Sequence, residues 1–258
     1  MKQSILSLPR PFVCALVKED SLEKNILRMR EAAFDGAQAL GIHMRFMPTA
    51  EKNDEGLRRL MSCTSRPVMA IHYRDGVDKS LTDEDRADIL LRSAKAGASM
   101  IDVMGDLYEP SQFELATSDA AVAKQVKTIE EVHRRGAKVV MSSHVLDRAR
   151  TADEVIAHLR EQEKRGADIC KHVSMVNTAD EFQESVKTLC RLRAEFKKPW
   201  IVLGSGAYGR MQRFLGPQFG CAVEFAVHDY EPGDPYDQQP TIRAFKSALD
   251  AICWRAPA

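Results

Sequence analysis

The sequence predicts a (β/α)8 barrel, an α/β fold, as a single domain over residues 1–258, and three observations lead to it. Short apolar runs of strand length alternate with longer amphipathic helical segments from near the start to the end. The alternation repeats eight times in 258 residues, which is the repeat number and size of such a barrel. The short runs are also almost continuously apolar, as parallel strands covered on both faces must be.

The first unit pairs PFVCALV, from Pro11, with SLEKNILRMREAAF, a helix that Ser21 can cap and in which Leu22, Ile26, Met29 and Ala33 recur on one face. LGIHMRF, around Ile42, precedes EGLRRLMSC. PVMAIHY, from Pro67, precedes TDEDRADILLRSAKAG, a helix opened by Thr82 and closed by Gly97. MIDVM at Met100 leads to a helix running to VHRRG, with Gly136 as C-cap. AKVVMSSHV leads to TADEVIAHLREQEKRG, where Thr151 and Glu154 occupy capping-box positions and Gly166 ends the helix. ICKHVSM at Ile169 precedes TADEFQESVKTLCRLRAEF, and WIVLGS at Trp200 precedes a short helix near MQRFLG. CAVEFAVHD at Cys221 precedes the last helix, TIRAFKSALDAICW. The competing arrangement is a doubly wound open sheet. Its glycine-rich dinucleotide turn is absent from VKEDSLE after the first strand, and it usually has fewer than eight strands.

Basic and acidic side chains number 37 each and the pI is near 7, so overall charge offers no reason to expect a nucleic-acid or anionic-membrane partner. No apolar run approaches the roughly 20 residues that cross a bilayer, and MKQSILSLPR lacks the apolar core of a signal peptide, so a cytoplasmic location is expected. Cys14, Cys63, Cys170, Cys190, Cys221 and Cys253 are dispersed without a C-x-x-C pair, which points to reduced thiols.

In a barrel the chemistry sits at the C-terminal ends of the strands, so polar residues there carry the information. Period-two alternation groups His43 with Arg45 on the second strand, His72 with Arg74 on the third, Asp102 with Met104 on the fourth and Ser142 with His144 on the fifth. Lys171, in the sixth, is the strongest signal, because an ammonium taken out of water is costly unless it is paired or loses its proton. Burial and nearby cations such as Arg45 and Arg74 would depress its pKa, and a neutral amine attacks ketones and aldehydes to form a Schiff base. The alternative is a lysine that snorkels to solvent or pairs with Asp102. His144 on the adjacent strand could act as general acid and base near neutral pH, or serve as a structural hydrogen-bond partner. Arg45, Arg74 and Arg213 could converge on a carboxylate or form solvated ion pairs. His133 and His158 lie in helices and read as surface residues; His172 reads as packing against the helical layer.

With these residues in place, the chain resembles the type I 3-dehydroquinate dehydratases from about Pro11 to Trp254. MSSHVLDRARTADEV is similar to the family's M-S-N-H-D-F segment and following helix, and GADICKHVSM to its G-A-D-I-x-K-x-A-V-M strand. The resemblance implies a lyase of shikimate or quinate metabolism. It would eliminate water from a small carboxylated keto substrate, either 3-dehydroquinate or a related β-hydroxy ketone. Lys171 would form the imine, and His144 would remove the α-proton and later protonate the departing hydroxyl. No metal and no diffusible cofactor is implied, and a homodimer is expected because family members are commonly dimers.

Arg213, in R-M-Q-R-F-L-G, matches the family arginine that binds the substrate carboxylate. Arg45 and Arg74 match two further pocket arginines, Asp102 matches the aspartate of I-D-L-E, and Phe225 on the eighth strand joins the substrate-binding set. Departures cluster in the same pocket. His43 stands where the family has a glutamate, Asp78 replaces the glutamate after the third strand, and Met104 replaces the one on the fourth. The closing segment reads HDYEPGDPYDQQP, with Tyr230 or Gln238 as substitutes for the family's serine and glutamine. Two other readings stay open: a metal-dependent barrel enzyme using His43, His72, His144 and His228 or Asp102 around zinc or manganese, and a non-catalytic protein that binds a small carboxylate.

Overall fold

The helix starts follow from local chemistry. Ser21, Thr82, Ser118, Thr151 and Thr178 each accept a hydrogen bond from a backbone N–H in the first turn of the helix they precede, and at Thr82, Thr151 and Thr178 the acidic third residue returns the bond. Gly97 and Gly166, with φ of +106° and +98°, turn the chain back toward the sheet after two of these helices.

In a computed structural model that describes residues 3–230 and 238–251, eight strands alternate with eight helices. The strands are β1 (Phe12–Val17), β2 (Ala39–His43), β3 (Val68–Ile71), β4 (Met100–Met104), β5 (Lys138–Val145), β6 (Ile169–Met175), β7 (Trp200–Ser205) and β8 (Val223–Ala226). The helices are α1 (Leu22–Phe34), α2 (Asp54–Ser62), α3 (Asp83–Lys95), α4 (Asp119–Arg134), α5 (Ala152–Lys164), α6 (Ala179–Glu195), α7 (Gly209–Phe219) and α8 (Ile242–Ala251). The strand ladders are parallel in the order β7-β6-β5-β4-β3-β2-β1-β8. The Ala222 N–H donates to the Trp200 carbonyl over 2.9 Å, which brings β8 beside β7 and nearly closes the sheet. The predicted (β/α)8 barrel is therefore the observed fold.

The strands are buried almost throughout, as a barrel lined inside by side chains and covered outside by helices requires. Gly41 is a glycine because the interior is full there. A Cβ would lie 2.9 Å from Leu16 Cδ2 and 3.3 Å from Ile71 Cδ1. Three buried glutamines tie helices to the strand ends that carry the site. Gln125 of α4 donates to the Met104 and Gly105 carbonyls, and Gln212 of α7 bonds the Gly204 N–H and the Val202 carbonyl. Gln162 of α5 accepts from the Lys171 N–H at 2.9 Å and donates to the Lys171 carbonyl at 3.0 Å.

The structure corrects three local expectations. β3 ends at Ile71, and His43 pairs with Ile71 in the register, so Ile71 and then Tyr73 face the interior. His72 points away from it, and the expected pairing of His72 with Arg74 on one face fails. β2 ends at His43, so Arg45 reaches inward from the short turn Met44–Phe46 rather than from the strand. His158 is half-buried, not a surface residue. Its Nε2 lies 2.8 Å from Ser143 Oγ, its ring packs edge-on to His172, and burial with the Arg165 charge pushes its pKa down to about 4. Residues 105–118, between β4 and α4, form a long loop. Among the described residues no helix is long and apolar enough to cross a membrane, and Cys14, Cys63, Cys170, Cys190 and Cys221 are free thiols. Cys253 and Trp254 lie outside the described residues.

Replacing Gln162 with leucine leaves both backbone groups of Lys171 without their side-chain partner. Each buried orphan costs about 1–3 kcal/mol, so Gln162→Leu should lower unfolding free energy by about 2–6 kcal/mol in urea titrations. An unchanged midpoint would show that the clamp contributes nothing.

Candidate active site

The C-terminal ends of the strands open on a cavity of about 730 Å³. Lys171 projects into it from β6, 5% exposed. Its Nζ lies 3.1 Å from His144 Nε2, 3.2 Å from the Tyr73 hydroxyl and 3.7 Å from Asp102 Oδ2. Burial lowers the Lys171 pKa, and the charges of Arg213 and Arg45 act in the same direction against Asp102 and Glu114. Burial and the Lys171 charge likewise lower the pKa of His144, against the opposing pull of Glu114. A lysine and a histidine held so close, each pushed toward its neutral form, can provide a nucleophile and a proton carrier for one bound molecule.

Asp102 does not line the cavity. It accepts from the Tyr73 hydroxyl at 2.8 Å and from the Ser142 hydroxyl, and so acts on Lys171 rather than on a ligand. That corrects its expected place among the substrate contacts. His43 does line the cavity. It is buried, edge-on to the Tyr73 ring, and burial with the charges of Arg45 and Lys171 holds its pKa well below the ordinary histidine value. Phe225 closes the side of β8, its ring centroid 5.2 Å from the Lys171 nitrogen.

The three arginines differ in what they have left to offer. Arg74 lies in the wall, but Asp83 grips its guanidinium from one side at 2.8 and 3.0 Å and Asp106 from another at 2.8 Å. Arg45 pairs with the exposed Asp75 at 2.5 Å and lies over the rings of Phe46 and Tyr73. Arg213 donates from Nε to the Gly204 carbonyl at 3.2 Å, and among the described residues no carboxylate is within ion-pair distance of it. Burial pushes its pKa down to about 10, a cost that an anion in the cavity would relieve.

Asp78 and Tyr230, expected in the pocket, are elsewhere. Asp78 is sealed off with Lys52, Thr49 and His72 Nε2, the last at 2.8 Å. The shorter side chain and a lysine from the turn Thr49–Lys52 hold it outside the cavity wall. Tyr230 is 45% exposed, lies beneath the Arg210 guanidinium and donates its hydroxyl to the Gln239 carbonyl. Gln238 is in the wall, accepting from the Gly206 N–H at 2.9 Å, and Gln239 stands beside it there. The rest of that segment, residues 231–237, lies outside the described residues.

Sequence reasoning missed Tyr73 and Glu114. Alternation from Ile71 would have found the tyrosine once the strand end was known. Glu114, whose Oε2 contacts His144, comes from a loop without periodicity, and no pattern signals it. As for the histidines of the metal reading, His72 is taken by Asp78 and His228 packs with Asp35, Asp229 and Arg28 outside the cavity. Among the described residues no three His, Cys, Asp or Glu side chains are grouped to hold a metal ion.

A buried lysine against a histidine at the mouth of a nearly closed parallel barrel defines a class of cavity suited to carbonyl chemistry. Comparison with known proteins supplies the family. A family model described as type I 3-dehydroquinase matches residues 13–253. A 3-dehydroquinate dehydratase of a strain of Escherichia coli is 25% identical over 224 residues, covering 85% of this chain and 84% of that one. One from Salmonella agona is 24% identical over 210 residues, covering 80% and 79%. Among solved structures, a type I 3-dehydroquinate dehydratase from Clostridium difficile with covalently modified comenic acid superposes with a TM-score of 0.79 at 17% identity, covering 97% of this chain and 98% of that one. The 3-dehydroquinate dehydratase of Geobacillus kaustophilus gives 0.76 at 20% identity, covering 93% and 90%. The chain belongs to the type I 3-dehydroquinase family, and it is an enzyme of the 3-dehydroquinate dehydratase kind.

The sealed Asp78 cluster yields a stability test. Lys52→Met leaves a buried carboxylate without its cationic partner, which should cost about 3–5 kcal/mol in denaturant unfolding. A loss below about 1 kcal/mol would mean that Asp78 is not held as an ion pair.

Proposed function

We propose that the protein dehydrates 3-dehydroquinate, or a closely related carboxylated β-hydroxy ketone, through an imine on Lys171. The observation that carries this reading is the 3.1 Å separation of Lys171 Nζ and His144 Nε2 inside the cavity. The neutral amine adds to the ketone, and the adduct takes up one proton, returned when the imine is finally hydrolysed, and loses water to leave a protonated imine. His144 Nε2 then takes the α-proton, and the imine nitrogen receives the electron pair as an enamine. The enamine expels the β-hydroxyl, which the imidazolium protonates as it leaves. Addition of water to the conjugated imine frees the product ketone and returns the amine. The imine is itself the electron sink, so this sequence calls on neither a metal nor a diffusible cofactor.

The chain's own residues divide the binding. Arg213 is the cation open to the substrate carboxylate. A neutral His43 can donate to or accept from a ring hydroxyl, where the family resemblance expects an anionic acceptor only. Met104 presents an apolar wall beside it. These differences favour a substrate whose carboxylate and ketone match 3-dehydroquinate while its hydroxyl contacts are less stringent. Shikimate or quinate metabolism, a homodimer and a cytoplasmic location go with this reading.

Incubation with 3-dehydroquinate and borohydride should add the reduced substrate to the Lys171 peptide. His144→Ala should still trap the adduct while turnover falls by about 10²–10⁴-fold, because imine formation needs the amine and elimination needs the imidazole. No adduct in the unaltered protein would contradict the imine, and undiminished turnover in the variant would remove His144 from the reaction.

A further inference from the structure

We propose that Glu114 is the positioning residue for His144, fixing which ring nitrogen carries the proton and stabilising the imidazolium that forms during turnover. Glu114 Oε2 accepts from the His144 backbone N–H at 2.6 Å and lies 3.2 Å from His144 Nδ1. Burial pushes the Glu114 carboxyl up, but its bonds with His144 and the Lys171 charge outweigh that and hold it below the usual carboxylate range. An ionised carboxylate only accepts, so Nδ1 must donate and Nε2 keeps its lone pair toward Lys171. That is the tautomer that proton abstraction at Nε2 requires.

The loop is built to hold the carboxylate there. Glu114 has φ of +44°, a left-handed conformation that a non-glycine residue keeps only where its surroundings impose it. Its N–H donates to the Ser111 carbonyl at 3.1 Å, and its own carbonyl accepts from Ser143 Oγ at 2.7 Å. Ser111 Oγ closes the turn on both backbone groups of Leu115, and Arg165, just after α5, donates to the Gly105 and Ala116 carbonyls at the base of the loop. Gly105 leaves the space. A Cβ there would sit 2.4 Å from the Glu114 carbonyl oxygen.

The two acids expected at the site have other partners. Asp78 is sealed behind the cavity with Lys52, and Asp102 faces Tyr73 and Ser142. Around the imidazole stand Lys171 on β6, Asp102 on β4, the Tyr73 ring at 5.1 Å, His43 at the end of β2 and His172 on the far side of β6. Lys171 opposes protonation of the ring, whereas Glu114 and, more weakly, Asp102 favour it. The charge of Glu114 therefore acts most when His144 gains a proton in the transition state, which places its effect in kcat rather than KM.

The role in turnover rests on the dehydratase reading; the hold on the imidazole does not. The test uses Glu114→Gln, which keeps shape and an acceptor but not charge, with Glu114→Ala beside it. In substrate-free protein, ¹⁵N NMR of His144, assigned by comparison with His144→Ala, should show the proton on Nδ1. Without the anion the imidazolium is less favoured, so the His144 titration should move to lower pH in Glu114→Gln. The acid limb of kcat/KM for 3-dehydroquinate should move the same way. At neutral pH kcat should fall by ~10- to 10⁴-fold, more in the alanine variant, with KM little changed. An unshifted titration with the same tautomer in Glu114→Gln would overturn the proposal whatever the activity. A shifted titration with undiminished kcat would overturn its role in turnover. If the unaltered protein does not dehydrate 3-dehydroquinate, the dehydratase reading fails, and the NMR comparison still decides whether Glu114 governs His144.

Discussion

An ammonium taken from water into a protein interior loses solvation worth several kcal/mol, and a barrel strand offers it no way out along the sheet. Lys171 is placed in that position, with apolar residues before it on β6 and Phe225 across the interior. The groups around it are arranged so that the amine form costs least: Arg213 and Arg45 add to the effect of burial, and His144 offers Nε2 as an acceptor. The nitrogen donates to the Tyr73 hydroxyl, which Asp102 in turn holds in place. Every other feature of the cavity is subordinate to this one desolvated amine.

Holding it there requires rigidity behind the strand ends, and the fold supplies it with polar side chains that never meet a ligand. Gln125, Gln162 and Gln212 bond strand backbones from three different helices, so the positions of β4, β6 and β7 are set by the helical layer as well as by the ladders. Buried amides of this kind stabilise only when fully satisfied, and these are. The same logic explains why Arg74 and Asp78 lie close to the cavity yet are occupied. Arg74 anchors Asp83 and Asp106, which orders the start of the β4–α4 loop, and Asp78 anchors Lys52 and His72 beneath the turns after β2 and β3.

Much of this was legible in the sequence because it depends on local pattern. The eight strand–helix units follow from apolar runs, N-cap residues and closing glycines. Lys171 and His144 stand out because each is a polar residue at the end of an otherwise apolar run. What was not legible depends on where a strand stops or on contacts distant in sequence. The end of β3 at Ile71 decides that Tyr73 rather than His72 faces the cavity. Lys52, 26 residues before Asp78, decides that the aspartate is removed from it. Glu114 meets His144 only because a loop with a left-handed residue folds back across β5. Periodicity cannot register such contacts, and charge alone does not single out one glutamate among many.

The chemistry of the cavity turns on the protonation of one lysine, and the most direct measurement is its titration in the absence of substrate. Reductive ¹³C-methylation followed by NMR, with Lys171→Met to assign the signal, should show Lys171 titrating below the ordinary lysine value near 10.5 and below the exposed lysines. If the Lys171 signal titrates with the exposed lysines, the amine is a charged partner of Asp102 rather than a poised nucleophile, and the central claim is wrong.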